Sequence, residues 1–171
     1  MYIQGMPDDP TAFRKTLGHF ASGVTIITTV SEGMVYGMTA NAFCSVSLEP
    51  PLVLVSVDNR SHMHTFLAQS GRYGVSVLAR DQEWLSRHFS GQSQEHLQVS
   101  FTWYEDYPLI EGSLAQLVCK VVHVYPAGDH TLYVGQVESL AYSSNGDPLL
   151  FYAGKYQALE AQSSDYLNLA G

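Results

Sequence analysis

Small polar side chains are concentrated in residues 39–47, TANAFCSVS, where an exposed strand would usually carry lysine and glutamate. If these residues form one β-strand, side chains two positions apart share a face. One face is apolar and suits the core: Ala40, Ala42, Cys44 and Val46. The other carries hydroxyl and amide groups around one aromatic ring: Thr39, Asn41, Ser45 and Ser47, with Phe43. Such a face can meet water, or it can hydrogen-bond the polar edge of a planar heterocycle.

A candidate anion site follows a short distance along the chain, in residues 55–66, VSVDNRSHMHTF. An apolar strand passes through Asp58 and Arg60 into a helix for which Ser61 is the predicted N-cap. A helix start presents unpaired N–H groups and the positive end of its dipole, and Arg60 adds a full charge. The segment therefore predicts a phosphate site, although a plain serine-capped helix after a solvated turn explains the same residues.

The two features together fit a ligand with a heterocycle at one end and a phosphate at the other. Flavin mononucleotide, FMN, has those two ends. A Rossmann dinucleotide site is disfavoured because no GxGxxG follows a strand, and a P-loop is disfavoured because no GxxxxGKS or GxxxxGKT occurs.

The histidines and cysteines do not form a metal-binding pattern. His62 and His64 are two residues apart, whereas ligands on one helical face are three or four apart. Cys44 and Cys119 lie outside any CxxC spacing and are predicted to be free, buried thiols. We therefore expect no metal ion and no cysteine nucleophile.

Composition narrows the classes of protein to consider. A chain of 171 residues predicts a single domain. Charged residues make up only 14%, so we expect a second chain to cover part of the surface. The formal net charge of −8 disfavours nonspecific binding to nucleic acid or to an anionic membrane face. No signal-peptide pattern and no apolar stretch of membrane-spanning length is found, which predicts a cytoplasmic protein.

Short elements must position the polar residues. Three helices are predicted from start and stop signals: one from Pro10, with an apolar stripe at Phe13, Leu17 and Phe20; one from Ser61 to Gly71; and residues 81–91, with Asp81 as the cap. Strands are predicted at residues 23–30, 36–48, 52–57, 73–79, 114–128, 130–143 and 148–156. Residues 92–113 are predicted to be an irregular lid or interface loop, and residues 158–171 a frayed or partner-bound tail.

The predicted fold is mainly β: a small antiparallel barrel with peripheral helices. The strands mostly follow one another through turns, whereas a doubly wound parallel sheet needs a crossover helix after every strand.

Two long stretches resemble the flavin reductase family, small split-barrel proteins that serve as reductase components of two-component flavin monooxygenases. They are FRKTLGHFASGVTIITT and GMTANAFCSVSLEPPLVLVSVDNRSHMHTFL. Later stretches match the same pattern: YGVSVLARDQEWLSRHFSG, GDHTLYVGQV and PLLFYAGKY. The resemblance runs from about Phe13 to Tyr156. It implies one flavin reductase-like domain over residues 1–171, with its core at about 10–157, in a homodimer with flavin near the subunit interface.

The resemblance also implies which residues contact the ligands. Those along the flavin are Thr39, Ala40, Asn41, Ala42, Ser45, Val46, Ser47, Ser56, Val57, Asp58, Arg60 and Ser61. Those near the phosphate or the far end of the flavin are Arg87 and His88, and those nearest the nicotinamide are His130, Lys155 and Tyr156. Simpler explanations stay open for these last five residues. Arg87 and His88 also fit solvent-facing positions on a helix, and His130 also fits a histidine hydrogen-bonded to backbone. Lys155 and Tyr156 also fit the end of a strand.

The expected activity is flavin reduction, in which hydride passes from NADH or NADPH to FMN or FAD and the reduced flavin leaves for a separate oxygenase. Because hydride carries its own electron pair, the protein needs no nucleophile and has only to place two rings in contact. No basic pair for a ribose 2′-phosphate is obvious, which favours NADH. The alternatives are a non-catalytic flavin-binding or sensor module, a split-barrel FMN oxidase acting on another small substrate, and a purely structural dimer.

Overall fold

The computed structural model describes residues 8–92, 96 and 98–160, and the fold over these residues is mainly β. Twelve strands are formed by the described residues: β1 Ser22–Gly23, β2 Thr25–Ser31, β3 Met34–Ala40, β4 Phe43–Leu48, β5 Pro51–Asp58, β6 Arg72–Val77, β7 Phe101–Tyr104, β8 Tyr107–Ile110, β9 Ala115–Ala127, β10 His130–Tyr142, β11 Leu150–Tyr152 and β12 Lys155–Gln157. The helices are α1 Pro10–Leu17, α2 His62–Ser70 and α3 Glu83–Phe89. None of the described helices combines the length and the apolar character needed to cross a membrane.

Local sequence signals set the ends of the first two helices. Asp9 caps α1, since its carboxylate accepts a hydrogen bond of 2.8 Å from the backbone N–H of Thr11. Ser61 caps α2 in the same way, accepting a bond of 3.2 Å from the N–H of Met63. Gly71 ends α2 with a left-handed φ of 65°, which glycine adopts at little cost. These two helices confirm the sequence prediction, except that α1 ends at Leu17 and leaves Phe20 outside the helix.

The start of α3 differs from the prediction. A 3₁₀ turn, Arg80–Gln82, comes before α3, so Asp81 does not cap the helix and that prediction is wrong. The side chain of Gln82 closes the turn instead, because its Oε1 accepts a bond of 3.0 Å from the N–H of Ala79.

Seven strands form one antiparallel sheet in the order β3-β2-β6-β9-β10-β5-β4. The two edge strands, β3 and β4, are consecutive in the chain and are separated only by Asn41 and Ala42. The sheet therefore curls until its edges meet at this corner, where the N–H of Ser56 on β5 donates to the carbonyl of Ala42 at 3.0 Å. This arrangement confirms the predicted split barrel.

Two large apolar clusters fill the fold, and a third, smaller one comprises Tyr107, Leu109 and Val118. The interior of the barrel holds fully buried aromatic and aliphatic side chains, among them Tyr73, Tyr133, Ile27, Val55 and Val57. The second cluster lies beside α3 and comprises Val24, Ile26, Leu78, Leu85, Ile110 and Leu149. Because β2 contributes Ile27 to one cluster and Ile26 to the other, successive residues of one strand join the two cores.

Residues 39–47 are not one strand, which corrects the prediction. The chain leaves β3 after Ala40 and resumes in β4 at Phe43. Ala40 is buried as expected, but Ala42, Cys44 and Val46 are exposed. The physical reason is that β4 is an edge strand, which among the described strands pairs only with β5, and a register shift between Ser45 and Ser47 interrupts the alternation of faces.

The predicted burial of both cysteines is therefore half right. Cys44 is exposed on β4, whereas Cys119 is fully buried in the barrel. Burial raises the pKa of the Cys119 thiol to about 12, so that thiol stays protonated at neutral pH. Phe43 packs against the barrel core.

Residues 92–113 are also more regular than predicted. They contain the hairpin of β7 and β8, in which Tyr107, Leu109 and Ile110 are buried. The hairpin is bonded to the barrel because Ser76 Oγ accepts a bond of 2.9 Å from the N–H of Ile110. The prediction that the whole segment is irregular is thus wrong. Residues 148–156 contain a hairpin of β11 and β12, where one strand was predicted. Most of the predicted tail, residues 161–171, lies outside the described residues.

Candidate active site

The corner between β3 and β4 opens onto a cavity of about 690 Å³. Its lining residues come from α1 and the following turn, from the corner, and from three later segments of the chain: Pro10, Phe13, Arg14, Leu17, Gly18, Phe20, Ser22, Asn41, Ala42, Asp129, Phe151 and Gly154. The side-chain N–H of Asn41 donates to Ser22 Oγ at 3.2 Å, and Ser22 pairs with Phe151 across β1 and β11. The corner is therefore attached directly to one wall of the cavity.

The cavity joins parts of the sequence that were predicted separately as ligand-binding segments. Asn41 and Ala42, from the predicted flavin strand, line it together with Asp129 and Gly154. His130 directly follows Asp129, and Lys155 directly follows Gly154. The fold thus brings the predicted flavin edge to the two segments that were predicted to lie nearest the nicotinamide.

Sequence reasoning missed the apolar wall of this cavity. The wall is formed largely by Phe13, Leu17 and Phe20, which are all more than half exposed in the chain. No residue of α1 is buried, so the helix makes no contribution to the core. The stripe at helical spacing was visible in the sequence, but only the fold shows that it faces a cavity.

The predicted phosphate turn lies at the same end of β5 as the corner, because β4 starts with Phe43 opposite Val55 and β5 ends three residues later at Asp58. A cavity of about 250 Å³ is lined there by Asn59, Arg60, Ser61, His62, Thr65 and Phe66. The Arg60 guanidinium donates to both Asp58 carboxylate oxygens, at 3.1 and 2.8 Å, and the Arg60 backbone N–H donates to the same group at 2.8 Å. These bonds hold the pKa of Asp58 well below its usual range. Arg60 is therefore already paired, although its side chain is mostly exposed.

Strand pairing ties the phosphate turn to the large cavity. His130 on β10 lies opposite Asp58 on β5. Thr131 Oγ1 donates to Asn59 Oδ1 at 2.7 Å. His130 Nδ1 lies 2.7 Å from Asp129 Oδ1, and this hydrogen bond lowers the pKa of the Asp129 carboxyl. The pairing of β5 with β10 thus fixes the positions of two predicted ligand segments, at Asp58 and at His130, relative to each other.

Three further predicted residues, Thr39, Arg87 and Tyr156, are linked through contacts with α3. Thr39 Oγ1 donates to the backbone carbonyl of Ser86 at 2.7 Å, and Ser86 Oγ lies 2.7 Å from Tyr156 Oη. The guanidinium of Arg87 stacks 4.9 Å from the centre of the Tyr156 ring and pairs with Glu83 at 2.6 Å. The Thr39 hydroxyl hydrogen is therefore already donated to a carbonyl of the fold and is not available to a ligand. The contact between Arg87 and Tyr156 was not indicated by the sequence.

The remaining predicted residues differ in how accessible they are. Ala40 and Val57 are buried, so only their backbone atoms could meet a ligand. The other positions are accessible to different degrees: Ser45, Val46 and Lys155 are exposed, and Ser47, Ser56, Ser61 and His88 are half-buried. The Nδ1 atom of His88 is itself buried and has no hydrogen-bond partner among the described residues. The described residues contain no group of three or more histidine, cysteine, aspartate or glutamate side chains placed to hold a metal ion.

Comparison with known proteins decides the family. The family model described as a flavin reductase like domain matches residues 17–160. The chain belongs to the flavin reductase family. The chain is 54% identical over 159 residues to an NADH-dependent flavin reductase from a Rhodococcus species, covering 91% of this chain and 90% of that protein.

Two further members of the flavin reductase family extend the comparison. The reductase subunit of a flavin-dependent monooxygenase from Rhodococcus jostii is 37% identical, with 89% of this chain and 79% of that protein covered. A structure of an NADH:FAD oxidoreductase from Streptomyces globisporus, in complex with NAD and FAD fragments, is 34% identical with a TM-score of 0.89. That match covers 95% of this chain and 99% of the other.

Proposed function

We propose that this protein is an NADH-dependent flavin reductase, which transfers hydride from nicotinamide to FMN or FAD and supplies the reduced flavin to a separate monooxygenase. The observation that carries the proposal is the cavity of about 690 Å³ in which the flavin-edge corner, the Asp129 turn and the Gly154 turn meet. A cavity of this volume lies within the usual range for small-molecule sites, about 300–1,000 Å³. Family membership and the names of the relatives support the same activity.

The residues around the corner fit a flavin. The cavity offers an apolar wall on α1 and polar groups at the corner, which is the combination that a planar heterocycle with one polar edge requires. The flavin would lie along the residues predicted for it, with the ring at Asn41 and Ala42 and the phosphate at Arg60 and Ser61.

The protein's part in the reaction is placement. Bound flavin supplies the acceptor for the hydride, which brings its own electron pair from the nicotinamide. In this proposal His130 and Lys155 meet the nicotinamide half of the donor, which is supported by each directly following a residue that lines the cavity. Tyr156 contributes less directly, since its hydroxyl is bonded to Ser86 and its ring lies under Arg87. The apolar side chains of α1 exclude water from the space in which two rings must stack.

The protein also acts as a homodimer in this proposal. Strand β4 is an edge of the sheet, and it exposes apolar side chains: Leu48 is 95% exposed and Val46 is half exposed. An exposed apolar edge strand is a liability that proteins usually cover. A second copy of the chain would cover the edge, and it would do so beside the flavin corner.

The activity is tested by following NADH oxidation at the nicotinamide absorbance band with purified protein and added FMN or FAD. We expect oxidation that depends on flavin and on protein, with NADH preferred to NADPH. Flavin binding without oxidation of either nucleotide would contradict the reductase proposal and leave a flavin-binding module.

A further inference from the structure

The basic residues of this acidic chain divide into two groups. The chain has only eight Lys and Arg against sixteen Asp and Glu. Four of the eight are paired with carboxylates: Arg60, Arg72, Arg80 and Arg87. The other four form no ion pair within residues 8–92, 96 and 98–160: Arg14, Lys15, Lys120 and Lys155. Two of these four, Arg14 and Lys15, line one cavity, and a third, Lys155, directly follows another of its lining residues.

That place is a smaller cavity of about 330 Å³ beside the candidate active site. It is lined by Arg14, Lys15, Gly18, His19, Ala153 and Gly154. Arg14, Gly18 and Gly154 also line the cavity of about 690 Å³, so the two cavities adjoin. Lys155 follows Gly154 directly. The basic side chains of Arg14 and Lys15 therefore lie beside the cavity that would hold the reacting rings.

The end of α1 is fixed against the turn between β11 and β12. The backbone N–H of Ala153 donates to the carbonyl of Gly18 at 2.7 Å. The rings of His19 and Tyr152 also meet edge to face, with centroids 6.1 Å apart. The basic side chains of α1 are thus held at a defined distance from Gly154 and Lys155. This close approach joins residues about 135 positions apart, so only the fold places the consecutive residues Arg14 and Lys15 beside Gly154.

We propose that Arg14 and Lys15, with Lys155 opposite them, bind the diphosphate of the nicotinamide dinucleotide, an inference that rests on the proposed function. A protein of net charge −8 repels a dianion unless positive groups are concentrated locally. Arginine binds phosphate oxygens through two parallel N–H groups, and lysine adds a compact charge. The uncharged nicotinamide ring of the same molecule then lies in the adjoining apolar cavity, next to Asn41 and Ala42.

The competing explanation is that the two residues only stabilise α1. They lie in the last turn of the helix, where positive charge interacts favourably with the helix dipole. That role predicts a loss of thermal stability on substitution and no change in the use of any donor. The two explanations therefore differ in what a charge-removing variant does to nucleotide binding.

The test uses the double variant Arg14→Gln/Lys15→Gln, with Lys120→Gln as the control. Lys120 is exposed on β9, has no ion pair among the described residues and lines neither cavity. FMN is the flavin, because it has no diphosphate of its own. Two hydride donors are compared: NADH, and N-benzyl-1,4-dihydronicotinamide, which carries the reacting ring without any phosphate.

We expect the double variant to raise the KM for NADH about tenfold, since two exposed charge contacts together are worth about one order of magnitude. Turnover of the benzyl donor and the dissociation constant of FMN should stay at the wild-type values. The Lys120→Gln variant should match the wild type with both donors. An unchanged KM for NADH, or an equal loss of activity with both donors, would overturn the assignment.

Calorimetric titration with ADP-ribose tests the same assignment without turnover. ADP-ribose contains the diphosphate and lacks the nicotinamide, and the double variant should bind it about tenfold more weakly than the wild type does. Equal binding by both proteins would contradict the diphosphate site. If no donor reduces flavin but this difference persists, the proposed function fails and the diphosphate site stands.

Discussion

At the scale of single residues, the ion pair of Asp58 and Arg60 is the feature with the clearest functional consequence. Arg60 is the charged group of the predicted phosphate site, yet its guanidinium already makes two bonds to Asp58. The low pKa of Asp58, caused first by these bonds, means that the carboxylate is charged at any pH at which the protein would work. A flavin phosphate at this predicted site would compete with Asp58 for Arg60, which would favour loose binding of a flavin that has to leave.

This competition predicts opposite effects for the two partners. Arg60→Ala removes the positive charge and should raise the dissociation constant of FMN by about two- to tenfold, the range for an exposed charge contact. Asp58→Asn frees Arg60 and should lower the same constant. Quenching of FMN fluorescence on titration with protein measures both. A change in the same direction in the two variants would show that the pair is structural and that the phosphate binds elsewhere.

At the scale of elements, β9 and β10 pack unusually closely against β6. Gly135 on β10 faces Tyr73 on β6 and Cys119 on β9, and all three lie at the centre of the barrel. A methyl group at Gly135 would lie 2.8 Å from the Cβ of Cys119 and would overlap the hydroxyl of Tyr73. Because both neighbours are fully buried, neither can move without disturbing the core.

Gly135→Ala should therefore reduce the free energy of unfolding by about 1–3 kcal/mol, the usual cost of overpacking a core. Gly23→Ala is the matched control, because Gly23 is also in a strand and its added methyl group would meet nothing within 4 Å. Urea denaturation followed by circular dichroism compares the two variants. Equal stability of the two variants would mean that the barrel interior can accommodate a methyl group at Gly135.

At the scale of the whole molecule, the exposed edge of β4 is the surface at which we propose that a second copy of the chain binds. Leu48 is the most exposed large apolar residue among those described, and it ends the strand that begins at the flavin corner. If a second copy covers this edge, charge at this position places an unpaired ammonium group in an apolar interface.

Leu48→Lys should accordingly convert the proposed dimer into a monomer, as measured by light scattering after size-exclusion chromatography. Met34→Lys is the control, since Met34 is half exposed at the start of β3, beside the β2–β3 turn. Dissociation of the dimer by Met34→Lys alone would place the interface elsewhere. A wild-type chain that is monomeric at all concentrations would contradict the dimer itself.

The sequence by itself determined the features that depend on neighbouring residues. Asp9 and Ser61 cap their helices through bonds to residues only two positions away, and Gly71 ends its helix through its own backbone conformation. Strand periods and turn residues were enough to predict a mainly β fold, and the motif set was enough to indicate the family that the comparisons establish. Each of these signals is read within a short window of the chain.

The tertiary structure alone decided what depends on pairing between distant segments. The break at Asn41 and Ala42 exists because the two edges of one sheet meet there, and the exposure of Cys44 follows from β4 having a single neighbour. The same holds for the apolar wall on α1 and for the basic residues beside Gly154, which the bond between Ala153 and Gly18 brings together. No local pattern encodes these contacts, because the free energy that fixes them comes from closing the barrel as a whole.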